Sequence, residues 1–129
     1  MPASLAISRI GQIALSASDL DRATAFYRDV LGMKFLFSAP PGMSFFECGG
    51  VRLLIGGPEA GGAAQAATTL FYFVPDIRDA ARVLTERGVT FDRDPIMIAK
   101  LADREVWLAD FKDSEGNSAA LMSEVPLAG

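Results

Sequence analysis

Residues 11–37 read GQIALSASDLDRATAFYRDVLGMKFLF, and two short apolar runs follow, MSFFECGG at 43–50 and VRLLIGG at 51–57. The opening run alternates. Ile13 and Leu15 are large and apolar, whereas Gln12, Ala14 and Ser16 are small or polar, the period-2 pattern of a strand with one face in a core and the other available. Ser18 is placed to cap a helix, and Asp19 and Asp21 add negative charge where the helix dipole is positive. Within that helix Leu20, Ala23, Phe26, Tyr27, Val30 and Leu31 recur at spacings of three and four, so one stripe packs back onto the strand. Gly32 suits the left-handed position that ends a helix. Three strands are predicted next, Lys34 to Ser38, Met43 to Cys48 and Val51 to Ile55, punctuated by Pro40-Pro41-Gly42 and Gly49-Gly50, with the last two forming a hairpin.

The second half repeats this order in a degenerate copy. TLFYFV at 69–74 is β-rich, Asp76 caps a helix with Asp79 in its first turn, Ile77, Ala80, Ala81 and Leu84 supply the stripe, and Gly88 closes it. Asp19-Leu20-Asp21-Arg22-Ala23 matches Asp76-Ile77-Arg78-Asp79-Ala80, and Glu47-Cys48-Gly49-Gly50 matches Asp113-Ser114-Glu115-Gly116. Strands are predicted over Ile96 to Leu101, Glu105 to Lys112 and Ser118 to Ser123. An internal repeat outranks any single propensity. The expectation is one α+β domain over 1–129, built of two tandem βαβββ modules at about 8–57 and 69–124. A flexible, small-residue linker, PEAGGAAQAAT at 58–68, should join them. Residues 1–8 read as a loose lead-in, and the tail from Glu124 holds too little to order itself.

Half of the 129 residues are hydrophobic, which is ample for a core. Twelve basic and sixteen acidic residues give a formal charge of −4 with no run of Lys or Arg, which argues against a nucleic-acid partner. The longest apolar runs are strand-length, which argues against a membrane partner, and the start lacks the pattern of a secretory signal, so a cytoplasmic location is expected. The single cysteine, Cys48, reads as a buried small hydrophobe. The absence of histidine removes Ser-His-Asp and Cys-His catalysis and every zinc site that depends on imidazole.

Strand, DLDRATAFYRDVLG helix, three strands, and the same again ending in the Asp113 to Asn117 turn resembles the vicinal oxygen chelate superfamily. That superfamily includes glyoxalase I, methylmalonyl-CoA epimerase, extradiol dioxygenases, and fosfomycin and bleomycin resistance proteins. The resemblance covers residues 8 to 124. It implies the glyoxalase/bleomycin resistance/dihydroxybiphenyl dioxygenase-like fold, in which the paired modules enclose a cavity, and it implies that a second chain often completes the sheet packing. Hence a homodimer is expected. The family's enzymes hold a divalent metal with a His or Gln in the first strand, a His in its counterpart and a Glu late in each module. Aligned through the motifs, these positions fall on Gln12, Thr69, Ala120 and on or next to Leu54. Leu and Ala carry no donor and a Thr hydroxyl is a weak one, so no metal and no other cofactor is expected.

Strand parity turns Gln12, Thr69, Phe71 and Phe73 toward the cavity, with Ser16 on the parity of Gln12, although strand backbone or water competes for the Gln12 amide and ordinary core packing for the aromatic rings. The resemblance puts Leu54 and Ala120 at the cavity, and Arg52 shares the parity of Leu54: its guanidinium either points inward, where it suits an anionic group, or lies in solvent at the sheet edge. Trp107 and Phe111 are either core or dimer packing or a platform for a planar ligand, and Trp107 is counted among the ligand-binding candidates. The carboxylates Glu47, Glu105, Asp110 and Asp113 read as solvated surface charges, and no catalytic residue is named. The leading expectation is a metal-independent binder of an organic small molecule, aromatic ones included, in the bleomycin-resistance manner. The alternative is a metal-dependent lyase, isomerase or dioxygenase of the same superfamily. A protein-interaction module with a filled cavity is a third reading.

Overall fold

In the computed structural model, which describes residues 9–60 and 69–127, the opening alternation folds as its pattern requires. Strand β1 (Gln12–Ser16) buries Leu15 at 8% exposure and leaves Gln12 and Ala14 exposed. Helix α1 (Leu20–Ala25) follows and passes into a π-helical turn over Phe26–Val30, where the Leu31 N–H donates to the Phe26 carbonyl at 3.0 Å. Ala23 and Tyr27 of the expected stripe are buried at 0% and 1% exposure. The cap differs from expectation. Asp19, not Ser18, holds the N-cap, its side chain accepting from the Arg22 N–H, because Ser18 is taken by a carboxylate from the far end of the chain.

Strands β2 (Lys34–Ala39), β3 (Met43–Cys48) and β4 (Val51–Gly56) complete the first sheet in the order β1-β4-β3-β2, with β1 parallel to β4. Gly49 and Gly50, at φ 58° and 87°, form the two-residue hairpin between β3 and β4. Both central positions of such a turn need positive φ, which glycine adopts without a Cβ clash.

The second module repeats the plan. Strand β5 (Leu70–Phe73), helix α2 (Ile77–Glu86) capped by Asp76, and strands β6 (Ile96–Lys100), β7 (Arg104–Lys112) and β8 (Ser118–Pro126) form a sheet ordered β5-β8-β7-β6. The repeat is structural as well as sequential. The Ala17 N–H donates to the Gly56 carbonyl as the Val74 N–H does to that of Met122, both at 2.8 Å. Position by position, Gln12 therefore corresponds to Thr69 and Leu54 to Ala120. Residues 124–126, expected to lie outside any element, continue β8, because Arg104 pairs with Pro126 and donates to Glu124. The predicted linker begins with a 3₁₀ turn at Pro58–Ala60; its remainder and the lead-in 1–8 lie outside the described residues.

Each sheet packs one face on its own helix. Leu15, Ala23, Tyr27, Phe46, Leu53 and Ile55 form the first core, and Ile77, Leu84, Ala109, Phe111, Ala119 and Leu121 belong to the second. Phe26 and Leu31 touch both cores, so α1 and its extension join the modules. The β7–β8 turn completes the seam with buried polar groups. Asp113 is 6% exposed, takes a hydrogen bond from the Tyr27 hydroxyl at 2.7 Å and accepts from the N–H groups of Glu115 and Asn117 at 2.8 Å. The Asn117 amide donates to the Ser16 carbonyl at 3.1 Å. The reading of Asp113 as a solvated charge is thus corrected: its turn folds under α1, and four donors replace water.

Candidate functional site

The sheet faces turned away from the helices carry most of the predicted site. On the first module, register places Gln12 beside Arg52 and Ala14 beside Leu54 on β1 and β4, while Leu54 pairs with Phe45 on β3 and Phe45 with Phe37 on β2. Phe37 and Phe45 stack with centroids 4.6 Å apart, and the Arg52 guanidinium lies 5.8 Å from the Phe45 centroid. Among the described residues Arg52 has no ion pair. Glu47, opposite Arg52 in register, instead accepts from the Gly50 N–H at 2.6 Å and stiffens the hairpin. Ser16 shares the parity of Gln12 and is half-buried, its carbonyl tied to Asn117.

On the second module Phe71 pairs with Ala120 and Ala120 with Asp110, while Phe73 pairs with Met122 and Met122 with Leu108. Phe71 and Phe73 are 51% and 61% exposed, whereas Ala120 is fully buried between its strand neighbours. Thr69 precedes β5 and is half-buried. Phe37, Phe45, Leu108 and Met122 share these faces and escaped the sequence reading, and Asp110, read there as a solvated surface charge, lies on them too. For Phe37 the reason is local: a register irregularity between Phe35 and Phe37 shifts parity inside β2, so Phe35 faces Phe46 and Phe37 faces Phe45. The signal for Asp110 was its alternation with Ala109 and Phe111.

Trp107 is the predicted site residue that the fold does not bring to these faces. It shares parity with Ala109 and Phe111, which are 2% and 3% exposed in the α2-side core, and it packs against that core. Arg78 of α2 lies 5.2 Å from its ring centroid, and its indole N–H donates to Glu105 at 3.2 Å. The core-packing alternative holds for this ring.

The donor set decides whether a metal fits. Gln12, Leu54, Thr69 and Ala120 occupy equivalent positions of the two modules, but only an amide and a hydroxyl among them carry oxygen. Among the described residues no group of three His, Cys, Asp or Glu side chains is placed to hold an ion. A hard dication needs several oxygen donors, anionic ones above all, to replace its hydration, and this set does not fit one.

Two mixed four-stranded sheets, each crossed over by a helix and each open on its other face, define a paired βαβββ protein with open, partly apolar faces. The chain belongs to the glyoxalase/bleomycin resistance protein/dioxygenase superfamily, whose family model matches residues 9–121. Among solved structures it is similar to a lactoylglutathione lyase from Agrobacterium tumefaciens, at 23% identity and a TM-score of 0.76 over 92% of this chain and 95% of that one. It is also similar to a member of the same superfamily from Sphaerobacter thermophilus DSM 20745, at 26% identity and a TM-score of 0.73 over 93% and 100% of the two chains. A virulence protein from Salmonella typhimurium shares the fold at 19% identity and a TM-score of 0.76, over 94% and 100%. No curated protein matches the chain in sequence.

Proposed function

We propose that this chain binds an organic small molecule, aromatic in part, between an open face of one module and an open face of another, without a metal ion. The observation that carries the reading is the exposure of large apolar side chains on sheet faces with no helix over them: Phe37 at 44%, Phe71 at 51% and Phe73 at 61%. Such a surface gains by being covered, and a ligand between two such faces would bury most of its own surface. Gln12 and Arg52 supply the polar contacts that fix orientation, Arg52 toward an anionic group and Gln12 as amide donor and acceptor.

The second face comes from a second copy in this reading. Within one chain the polar seam of Asp113, Glu115 and Asn117 fastens the modules through their helix side, which leaves both open faces for a partner. A two-fold axis can set the first module of one copy against the second module of the other, twice over. Partners of other kinds are not proposed; among the described residues no helix is long and apolar enough to cross a membrane.

The metal-dependent lyase, isomerase or dioxygenase reading loses ground because the donors at the equivalent positions do not fit. Thermal-shift screening against aromatic antibiotics, acyl-CoA esters and glutathione conjugates tests the proposal, with Phe71→Ala and Arg52→Met as paired variants. A hit whose stabilisation both variants weaken supports it. A hit indifferent to both variants overturns it.

A further inference from the structure

We propose a second binding site, for an amphipathic monocarboxylate with a medium-length aliphatic chain, in the hollow at the seam between the modules on the α2 side of β5. The hollow has a volume of about 390 Å³, within the range of small-molecule pockets, roughly 300–1,000 Å³. It meets the open faces only at Phe73, the end of β5, and its other lining residues lie on the helix side. Strand alternation puts Tyr72 and Val74 on the wall of this hollow, whereas Phe71 points to the other side of the sheet. Leu31 and Met33 bring the first module to one wall, and Val83 and Leu84 of α2 form the opposite one.

One side chain marks it as more than a packing fault. Arg87 stands at its lining with one guanidinium nitrogen donating to the Val30 carbonyl at 2.8 Å and with no carboxylate partner among the described residues. Its remaining donors suit a carboxylate, which a guanidinium binds by two parallel hydrogen bonds. The Tyr72 ring forms part of the wall, and its hydroxyl is buried with no hydrogen bond of acceptable geometry among the described residues. Burial pushes this phenol up to about 12, against the pull of the nearby Tyr27 hydroxyl, which is itself directed at Asp113. That hydroxyl lies behind the wall, beside the Tyr27 oxygen, and is not open to the hollow. An apolar trough with a cation at its lining selects a molecule with an aliphatic body and one anionic, oxygen-bearing head. The Cys48 thiol lines the same hollow. Burial above all, with Glu47 nearby, pushes that thiol upward, so it stays neutral and serves as one more soft, weakly polar contact.

Titration of the full chain with octanoate and, separately, with 1-octanol tests the site, read by calorimetry and by the methyl resonances of Met33, Val83 and Leu84. Octanoate should shift those three methyl groups and raise the melting temperature as a ligand of the native state does. Arg87→Gln keeps the hydrogen bond to Val30 within reach but removes the charge. It should weaken octanoate about tenfold, the size of one charge-assisted contact, and leave 1-octanol unchanged. Val83→Phe should fill the hollow and remove both. Phe71→Ala should leave octanoate binding unchanged, so failure here and failure of the function proposed above are separable. Unmoved methyl resonances at saturation, equal octanoate affinity in Arg87→Gln, or loss of octanoate in Phe71→Ala would each overturn the site. If Val83→Phe does not fold, the methyl shifts and the Arg87→Gln comparison decide.

Discussion

The Glu115 carboxylate, in the last turn of the second module, is held by Arg22 of the first helix, with Arg22 Nε to Glu115 Oε2 at 2.7 Å. The Glu115 side chain is only 2% exposed and also accepts from the backbone N–H groups of Ser18 and Asp19 at 3.0 Å. An anion thus sits among first-turn donors of α1, where the helix dipole favours it. The Arg22 hydrogen bond first, then the Asp19 N–H and the Ser18 and Ser114 hydroxyls, lower the Glu115 carboxyl to about 2 against the opposing effect of burial. A lowered carboxylate contributes stability that is fully present above its unfolded value, about 4.3, and is lost as pH falls through its folded value. Glu115→Gln should therefore cost about 2 kcal/mol at pH 7, and the gap between wild type and variant should narrow between about pH 4 and 2. Urea titrations at pH 7, 4 and 2.5 check this; a gap that does not change would disprove the assignment.

The cap of α1 offers a sharper comparison. Asp19→Ala removes the side chain that accepts from the Arg22 N–H and should cost about 1 kcal/mol. Ser18→Ala deletes one of several donors to Glu115 and should cost less than half of that. Equal losses in thermal unfolding would return the cap to Ser18.

Leu31 and Tyr27 report on the seam. Leu31→Ala, at a side chain packed against both cores, should cost roughly 2–3 kcal/mol as a large-to-small change. Tyr27→Phe keeps the ring and deletes the hydroxyl that donates to Asp113, so about 1 kcal/mol is expected. Chemical denaturation gives both numbers, and a smaller loss for Leu31→Ala than for Tyr27→Phe would mean that polar contacts alone hold the modules together.

Light scattering at micromolar concentration should give twice the mass of one chain. Phe73→Lys, at a ring 61% exposed on the open face, should shift that mass toward the monomer and leave the far-ultraviolet circular dichroism unchanged. A wild-type monomer would sink the two-copy cavity.

Protein purified without chelator should carry well under one equivalent of Zn, Ni, Mn, Fe or Mg by elemental analysis. EDTA should leave melting temperature and ligand binding unchanged. A stoichiometric ion lost in Gln12→Ala would restore the enzyme reading.

How much of this was legible in advance depends on the range over which each feature is decided. The faces of β1, β4 and β5 were readable because alternation is a property of neighbouring residues: Leu15, Leu53 and Tyr72 went inward, and Gln12, Arg52 and Phe71 went outward. Alternation also puts Trp107 on one side with Ala109 and Phe111, but it does not say which side, because aromatic rings suit both a core and a ligand platform.

The amino-acid pattern by itself determined the two βαβββ modules, their strand faces, the apolar stripe of α1, and the helix stops at Gly32 and Gly88, whose φ angles are 70° and 95°. These follow from periodicity and from single-residue backbone preferences, which need no distant partner. Only the tertiary structure decided that Asp113 and Glu115 are buried, that Ser18 serves the second module rather than its own helix, and that 124–126 extend β8. The first two outcomes depend on polar groups that meet across 86 and 97 residues of chain, and the third on Arg104 meeting Glu124 across 20. A charge reads as solvated until the fold brings it the donors that replace water.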